Sequence, residues 1–190
     1  GNSAWGILDG NLFKLKPNVE IDVNAIAKGF GVDTISNLLK SLGYNNFMVE
    51  IGGEVYCTGI NNSGEVWKIG IELPMFDTRT FSKIVSLSNA AMATSGDYRN
   101  YYTYNGKNYS HTINPKNGTP IEHLLASVTV ISKTCMDADG LATALLVMGT
   151  DKAMDYIEKN ILAECLLIER DENGNFRTFM SSGFGAYLLN

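Results

Sequence analysis

Two separated segments of the sequence place acidic and small side chains where helices are expected to begin. The first covers residues 21–30 and carries Asp22 and Lys28, and the second covers residues 137–143. A helix start offers unpaired backbone N–H groups and the positive end of the helix dipole, so phosphate groups bind there readily. A neighbouring Asp can hold a divalent cation that bridges the same phosphate. The two segments together predict a metal–pyrophosphate site built from distant parts of the chain.

The first segment has almost no side chain on its expected first helical turns. Ala25, Ala27 and Gly29 leave the backbone bare, which suits the close approach of a ligand. The ordinary alternative is that Asp22 belongs to a helix N-cap and that Lys28 is simply solvated. Spacing alone leaves both interpretations open.

The second segment presents possible ligands for a cation. Asp139 and Thr143 are four residues apart, so they share one face of a helix. A carboxylate and a hydroxyl on one face can supply two oxygen ligands to a hard cation such as Mg²⁺. The alternative is a helix N-terminus with favourable acids and a core-facing threonine, and the sequence does not decide between them.

Three further segments carry glycine or polar side chains. Gly52-Gly53-Glu54 interrupts a strand pattern, either as a bulge or as a place where a flat ring or a phosphate approaches the backbone. The hydroxyl-rich segments 94–98 and 109–115 include Ser95 and His111. The Gly-x-Ser-x-Gly elbow is missing, which argues against Ser95 as a hydrolase nucleophile. His111 is either a hydrogen-bonded structural histidine or a proton-transfer group.

Composition and charge limit the class of protein. The chain has 190 residues, of which 45% are hydrophobic and 18% charged, which predicts a single globular domain. The net charge of −5 shows no excess of basic residues, which argues against nucleic-acid binding. Cys57, Cys135 and Cys165 lack metal-ligand spacing and are expected to be buried apolar residues. No apolar run is long enough to span a bilayer.

Hydrophobic periodicity predicts the elements that must position these residues. Helices are expected over residues 24–42, ending at Gly43, and over 137–148 and 151–160. The stretch 94–125 is expected to be a long functional loop. Strands outnumber helices without regular alternation, which favours an α+β fold. The expected strands are 12–15, 47–51, 55–57, 67–73, 83–87, 127–131, 164–169 and 176–180.

Together these segments resemble the ApbE family, the flavin transferases that move FMN from FAD onto a protein threonine. The resemblance implies an α+β single domain in which antiparallel or mixed sheets and helices surround a flavin cleft. Each block alone is weak, but the ordered set is specific and covers most of the chain from Asn11 onward. The matching blocks are residues 21–33, 49–54, 67–71, 93–98, 109–115, 127–130 and 138–145.

The resemblance also implies roles for individual residues. Mg²⁺ would be held by the backbone carbonyl of Ala25 and the side chains of Asp139 and Thr143. His111 lies where the family has a histidine near the reaction centre. We expect FAD to contact eight residues, two of which are the glycines of the interrupted strand. They are Asp22, Lys28, Gly52, Gly53, Ser95, Gly96, His111 and Ile113.

The implied reaction is the Mg²⁺-dependent transfer of FMN from FAD to a threonine hydroxyl of an acceptor flavoprotein, with release of AMP. Lys28, Asp139 and His111 are the expected catalytic residues. Lys28 can stabilise the charge on the leaving AMP, and either His111 or a nearby Asp can take the hydroxyl proton. The alternatives are an FAD pyrophosphatase, with water as the attacker, and a truncated or non-catalytic FAD-binding core.

The front of the chain is shorter than in the family. Members usually carry a further N-terminal portion that contacts FAD, and residues 4–6 are expected to be the end of that portion. The chain opens on Gly1 rather than Met, which is typical of a processed or engineered polypeptide. Family members are commonly exported lipoproteins. We therefore expect an extracytoplasmic bacterial protein whose membrane contact is limited to a lipid anchor outside this chain.

Overall fold

The computed structural model describes residues 4–75, 80–96, 101–104, 107–110, 112–160 and 162–189, without the side chains of 101–110. The helices are α1 (Asn24–Ser41), α2 (Cys135–Met148) and α3 (Thr150–Lys159), and a 3-10 turn covers Phe184–Tyr187. The strands are β1 (Trp5–Leu8), β2 (Asn11–Lys14), β3 (Phe47–Ile51), β4 (Glu54–Thr58), β5 (Trp67–Glu72), β6 (Phe81–Leu87), β7 (Ala90–Gly96), β8 (Tyr101–Tyr104), β9 (Lys107–Ser110), β10 (Ile113–Asn114), β11 (Thr119–Pro120), β12 (Leu125–Ser132), β13 (Ala163–Arg170) and β14 (Phe176–Met180).

A six-stranded antiparallel sheet forms the middle layer of the structure, with the strand order β14-β13-β12-β7-β4-β3. Alternate side chains of β12 point to opposite faces, so Val130 packs with the helices and Ile131 packs on the other side. The helices cover the first face, and the β5–β6 hairpin and Phe184 cover the second. The predicted α+β fold with antiparallel sheets is confirmed.

Strand β7 corrects the expectation of a loop from residue 94 onward. Ala90–Gly96 lies in the middle of the sheet, between β12 and β4, with Thr94 opposite Thr129 and Ser95 opposite Val128. Small residues have low strand propensity, which is why the pattern was not recognised as a strand. In the fold these residues are required because α2 packs directly over β7. The strand therefore delivers residues 94–96 to the end of the sheet.

Helix α1 ends at Ser41, close to the expected boundary, but its orientation differs from what the pattern suggested. Its buried face consists of Gly29, Val32 and Ser36. The apolar stripe whose periodicity predicted the helix consists of Ile35, Leu38, Leu39 and Leu42, and Leu38 and Leu42 are 57% and 65% exposed. The helix is apolar on two sides, and the side of smaller residues faces the sheet because it allows close packing. Among the described helices, none is both long and apolar enough to cross a membrane.

The three cysteines are buried free thiols, as predicted. Burial raises the pKa of the Cys57 thiol to about 12 and that of Cys165 to about 11, and it also raises the pKa of Cys135. Because the thiolate is the reactive form, these residues are chemically inert core positions.

Candidate functional site

Helices α1 and α2 cross in direct backbone contact at Gly29. This residue is buried, and a Cβ added there would lie 2.7 Å from the Cα of Met136 in α2. No side chain fits in that space. The bare first turns of α1 thus serve helix packing in addition to leaving room above the backbone, and they bring the start of α1 against α2.

Asp139 joins the two helices through a hydrogen bond that spans 110 positions of the sequence. The Gly29 N–H donates to the Asp139 carboxylate at 3.0 Å, and Asp139 is only 4% exposed. In a regular α-helix the same N–H would donate to the Ala25 carbonyl, four residues earlier. The carboxylate oxygen and the Ala25 carbonyl thus compete for one donor, which places two of the implied metal ligands side by side.

Thr143 lies one turn after Asp139 on α2 and contacts the end of β7. Its hydroxyl is 3.0 Å from the hydroxyl of Ser95, and either oxygen can be the donor. The family resemblance implied that Ser95 contacts FAD, whereas the described contact is between its side chain and the implied metal ligand Thr143. Ser95 therefore holds the threonine hydroxyl in one orientation.

Helix α2 begins two residues earlier than predicted, because Thr134 and Asp33 cap it. The Asp137 N–H donates to the Thr134 hydroxyl at 3.2 Å. The Asp33 carboxylate accepts the N–H groups of Cys135 and Met136 at 2.8 and 2.9 Å. Asp33 and Thr134 thus accept the N–H groups at the helix start. Asp139 lies farther inside the helix and is left to face α1.

Lys28 forms an ion pair with Glu54, a residue that the sequence analysis did not place in the site. The Lys28 Nζ lies 2.5 Å from the Glu54 Oε1, and the exposed fractions of the two side chains are 45% and 2%. The other carboxylate oxygen of Glu54 is buried and has no hydrogen-bond partner among the described residues. The sequence signal that could have identified Glu54 is its position at the start of an apolar strand. An acidic residue that is buried there needs a partner for its charge.

The two buried carboxylates are electrostatically coupled. Burial raises the pKa of Glu54, and the charge of Asp139 raises it further, while Lys28 opposes both effects. Burial also raises the pKa of Asp139, and the Gly29 N–H and Lys28 oppose it. Two poorly hydrated carboxylates thus lie near one ammonium group, which forms an ion pair with Glu54. The cluster carries excess negative charge when both acids are ionised, which favours binding of a cation.

Asp22 contacts the first residue of α1. Its carboxylate accepts the Asn24 backbone N–H at 2.8 Å and the Asn24 side-chain amide at 3.3 Å. The side chain is exposed just ahead of α1. The N-cap position itself is Val23, and no side chain caps the helix, so Asp22 forms a local turn just ahead of α1 rather than the predicted N-cap.

Gly52 and Gly53 form the two-residue turn of the β3–β4 hairpin rather than a bulge. Ile51 pairs with Glu54 across the turn, and the two glycines have φ values of +63° and +103°. Turns of this kind need residues that tolerate positive φ. A Cβ on Gly52 would lie 3.2 Å from the Lys28 Cδ, so the turn packs over the lysine.

A cavity of about 460 Å³ lies on the opposite face of the sheet, between the sheet and the β5–β6 hairpin. Gly52, Gly53, Thr94 and Gly96 contribute to its lining. Side chains alternate along β7. Ser95 therefore faces α2, whereas Thr94 and Gly96 face the cavity. The structure thus places Ser95 and Gly96, which are neighbours in the sequence, on opposite faces of the sheet.

The remaining predicted residues are not brought into the cluster by the described contacts. Ile113 lies half-exposed in the small β10–β11 hairpin, where it pairs with Pro120. His111 falls outside the described residues, so its predicted role is not tested.

The oxygen donors of the cluster fit a hard cation. In the described part of the chain there is no group of three His, Cys, Asp or Glu side chains that could hold a metal ion. The implied set of ligands is of another kind, with one carboxylate, one hydroxyl and one backbone carbonyl. Mg²⁺ prefers oxygen ligands and keeps several of its waters, so one carboxylate with neutral oxygens is a suitable set.

Comparisons with known proteins show which proteins this chain is similar to. A model of the ApbE family matches residues 3–167. The FAD:protein FMN transferase of Haemophilus influenzae is 49% identical over 174 residues, which cover 91% of this chain and 50% of that protein. The corresponding protein of Vibrio cholerae is 44% identical over 182 residues, covering 95% and 54%. The chain therefore spans about half the length of the curated relatives that it matches.

The fold is also shared with solved structures. The flavin transferase ApbE from Vibrio cholerae matches with a TM-score of 0.87 and 41% identity, covering 99% of this chain and 59% of that one. The crystal structure of the apo flavinyl transferase ApbE from Pseudomonas stutzeri matches with a TM-score of 0.85 at 40% identity. The resemblance seen in the sequence blocks is confirmed, and the chain belongs to the ApbE family.

Proposed function

We propose that this chain carries the metal and pyrophosphate site of an FAD:protein FMN transferase. The enzyme moves FMN from FAD to a threonine hydroxyl of an acceptor flavoprotein and releases AMP. The observation that carries the proposal is the hydrogen bond between the Gly29 N–H and the Asp139 carboxylate. It brings together the two helix segments whose residue types favour a cation and a diphosphate. The names of the relatives support the same activity.

Mg²⁺ would be held by the Ala25 carbonyl, the Asp139 carboxylate and the Thr143 hydroxyl. The chemistry that a bound cation would supply there is neutralisation of negative charge on the pyrophosphate of FAD.

The chain's own residues prepare these ligands. The Gly29 N–H orients the Asp139 carboxylate, and the Ser95 hydroxyl orients that of Thr143. Preorganised ligands cost little reorganisation when substrate binds, which is the main source of such stabilisation.

The reaction forms one phosphoester bond and breaks one pyrophosphate bond. The threonine oxygen of the acceptor attacks phosphorus, and the AMP phosphate leaves with the bridging oxygen. Lys28 lies near the start of α1 with its ammonium group partly exposed. It is therefore suited to balance the charge that develops on the leaving phosphate. The hydroxyl proton is taken by His111 or by a nearby carboxylate.

The test is to incubate the protein with FAD, MgCl₂ and an acceptor protein that carries the target threonine. Mass spectrometry should show an FMN increment on the acceptor, together with an equivalent amount of AMP. Release of FMN and AMP without an increment would identify a pyrophosphatase. Binding of FAD without turnover would identify a non-catalytic core, and either result would reject the proposed transfer.

A matched pair of variants links the activity to the site. Asp139→Asn should abolish transfer, whereas Asp151→Asn, which changes an exposed acid in the first turn of α3, should leave it unchanged.

The proposal includes an extracytoplasmic location in a bacterium, because members of the family are commonly exported lipoproteins. Fractionation of the source cells with an antibody against this chain tests it, and recovery in the cytosolic fraction would contradict it.

A further inference from the structure

Glu54 is an ionisable residue in a place that normally holds apolar side chains. It opens β4, in which all five residues are buried, and its own side chain is 2% exposed. Burying a carboxylate is unfavourable unless a partner compensates for the lost water. The position therefore has to be explained by what the carboxylate contacts.

Its contact with Lys28 is asymmetric. The carboxylate is enclosed, while the ammonium group at 2.5 Å keeps 45% of its side chain exposed. A free lysine side chain samples many rotamers, and this freedom is lost whenever it must hold one position. An enclosed carboxylate can fix the lysine because the carboxylate itself cannot follow the ammonium into solvent.

The β3–β4 turn restrains the same lysine from above. A Cβ on Gly52 would lie 3.2 Å from the Lys28 Cδ and 3.6 Å from the Glu54 Oε2. The lysine stem thus runs beneath the turn before its ammonium group meets the carboxylate. The turn of the β3–β4 hairpin and the carboxylate that follows it together determine where the charge of Lys28 lies.

The position matters because a second acid lies close to the same lysine. The Asp139 carboxylate accepts the N–H of Gly29, the residue that directly follows Lys28, at 3.0 Å, and the charge of Lys28 lowers the pKa of Asp139. A lysine released from Glu54 would be drawn to the Asp139 carboxylate, where it would compete with a cation for that ligand. Held by Glu54, the ammonium group stays at the start of α1, where phosphate is expected.

We infer that Glu54 is a positioning residue, which holds the Lys28 ammonium in place for the phosphate group of a nucleotide and keeps it away from Asp139. The inference rests on the proposed function and adds to it a residue that acts through Lys28 rather than on the substrate.

Elementary electrostatics makes the opposite prediction, which gives the inference a sharp test. Removal of a carboxylate near a phosphate site should strengthen the binding of an anion, since like charges repel. If Glu54 positions Lys28, Glu54→Gln should instead weaken it. Without the organised, charge-assisted contact between Lys28 and the phosphate, the Kd is expected to rise about tenfold.

The experiment is a double-mutant cycle measured by calorimetry, with ADP as the probe in the presence of MgCl₂. Glu54→Gln should weaken ADP binding about tenfold in the wild-type background and by less than about twofold in the Lys28→Met background. A purely structural role would reduce binding by the same factor in both backgrounds and would overturn the inference. Tighter binding by Glu54→Gln would overturn it as well.

Further controls keep the result interpretable. The exposed Asp155–Lys159 pair of α3, at 2.7 Å, provides a matched cycle with Asp155→Asn and Lys159→Met, which should not change ADP binding. If Glu54→Gln does not fold, Glu54→Asp replaces it, because it keeps the charge but draws the carboxylate back by one methylene group. It should still weaken ADP binding in the wild-type background only.

The FMN-transfer assay on the wild-type protein is run separately. ADP binding with a coupled cycle but no transfer would reject the proposed function and leave the role of Glu54 standing. Transfer with an uncoupled cycle would reject only the role of Glu54.

Discussion

Asp139→Asn is the most informative single substitution, because it removes a charge while keeping the shape of the site. The asparagine side chain is the same size, and its amide oxygen can still accept the Gly29 N–H that Asp139 accepts at 3.0 Å. The contact between α1 and α2 should therefore survive. What is lost is the anionic ligand for a cation.

The expected effect is the loss of stabilisation by metal. A cation at one hundred times its Kd stabilises the folded state by about 2.7 kcal/mol if it does not bind the unfolded chain. For a domain of this size each kcal/mol raises the Tm by about 2–4 °C. Saturating MgCl₂ should thus raise the Tm of the wild-type protein by about 5–10 °C and leave that of Asp139→Asn nearly unchanged.

Differential scanning calorimetry with increasing MgCl₂ measures this effect without any enzymatic turnover. Without metal the variant should be at least as stable as the wild type, because a buried carboxylate no longer has to be accommodated. Asp151→Asn should retain the full response to metal. An equal rise in Tm for Asp139→Asn and the wild type would refute the assignment of Asp139 as a ligand.

Three further predictions follow from the geometry of the cluster. Gly29→Ala should lower the free energy of unfolding by about 1–3 kcal/mol, because its Cβ has no room against the backbone of α2. Gly185→Ala, where a Cβ would meet nothing within 4 Å, is the control in urea unfolding, and equal effects of the two would argue against tight helix packing. Thr143→Val should weaken Mn²⁺ binding, measured by electron paramagnetic resonance, by about tenfold or more through loss of one oxygen ligand; unchanged binding would exclude this hydroxyl from the metal site. For Glu54, burial raises the pKa above its ordinary value of 4.5, so the folded chain holds this proton more tightly than the unfolded chain does. The stability of the wild type relative to Glu54→Gln should therefore fall as the pH rises from 4.5 through the raised folded-state pKa. Chemical unfolding at a series of pH values would show this, and a rise over the same interval would contradict it.

Local patterns in the sequence were sufficient to predict most of the elements. Helix α1 was expected over residues 24–42 and covers Asn24–Ser41, and strand β14 has the predicted bounds. Periodicity, Gly43 after the helix and alternation along the strands are properties of neighbouring residues, so they can be recognised without knowledge of the fold. The spacing of Asp139 and Thr143 on one helical face belongs to the same class of information.

The centre of the sheet was not predictable in this way. Strand β7 consists largely of small residues, whose intrinsic preference for a strand is weak. The strand forms because β12 and β4 pair with it on both sides and α2 packs directly over it, which leaves room only for small side chains. The prediction of α1 had the same limitation, because the apolar periodicity indicated a helix but did not show which side of the helix would face the sheet.

By itself, the sequence determined which residues have the chemistry of a metal and phosphate site, and it determined the two helices that carry Lys28, Asp139 and Thr143. Only the tertiary structure decided that Gly29 and Asp139 meet across 110 positions, and that Glu54 holds Lys28. It also decided that Ser95 and Gly96 face opposite sides of the sheet edge. The physical reason is that local propensity acts through neighbouring residues, whereas the partner of a buried charge is chosen by the packing of whole elements.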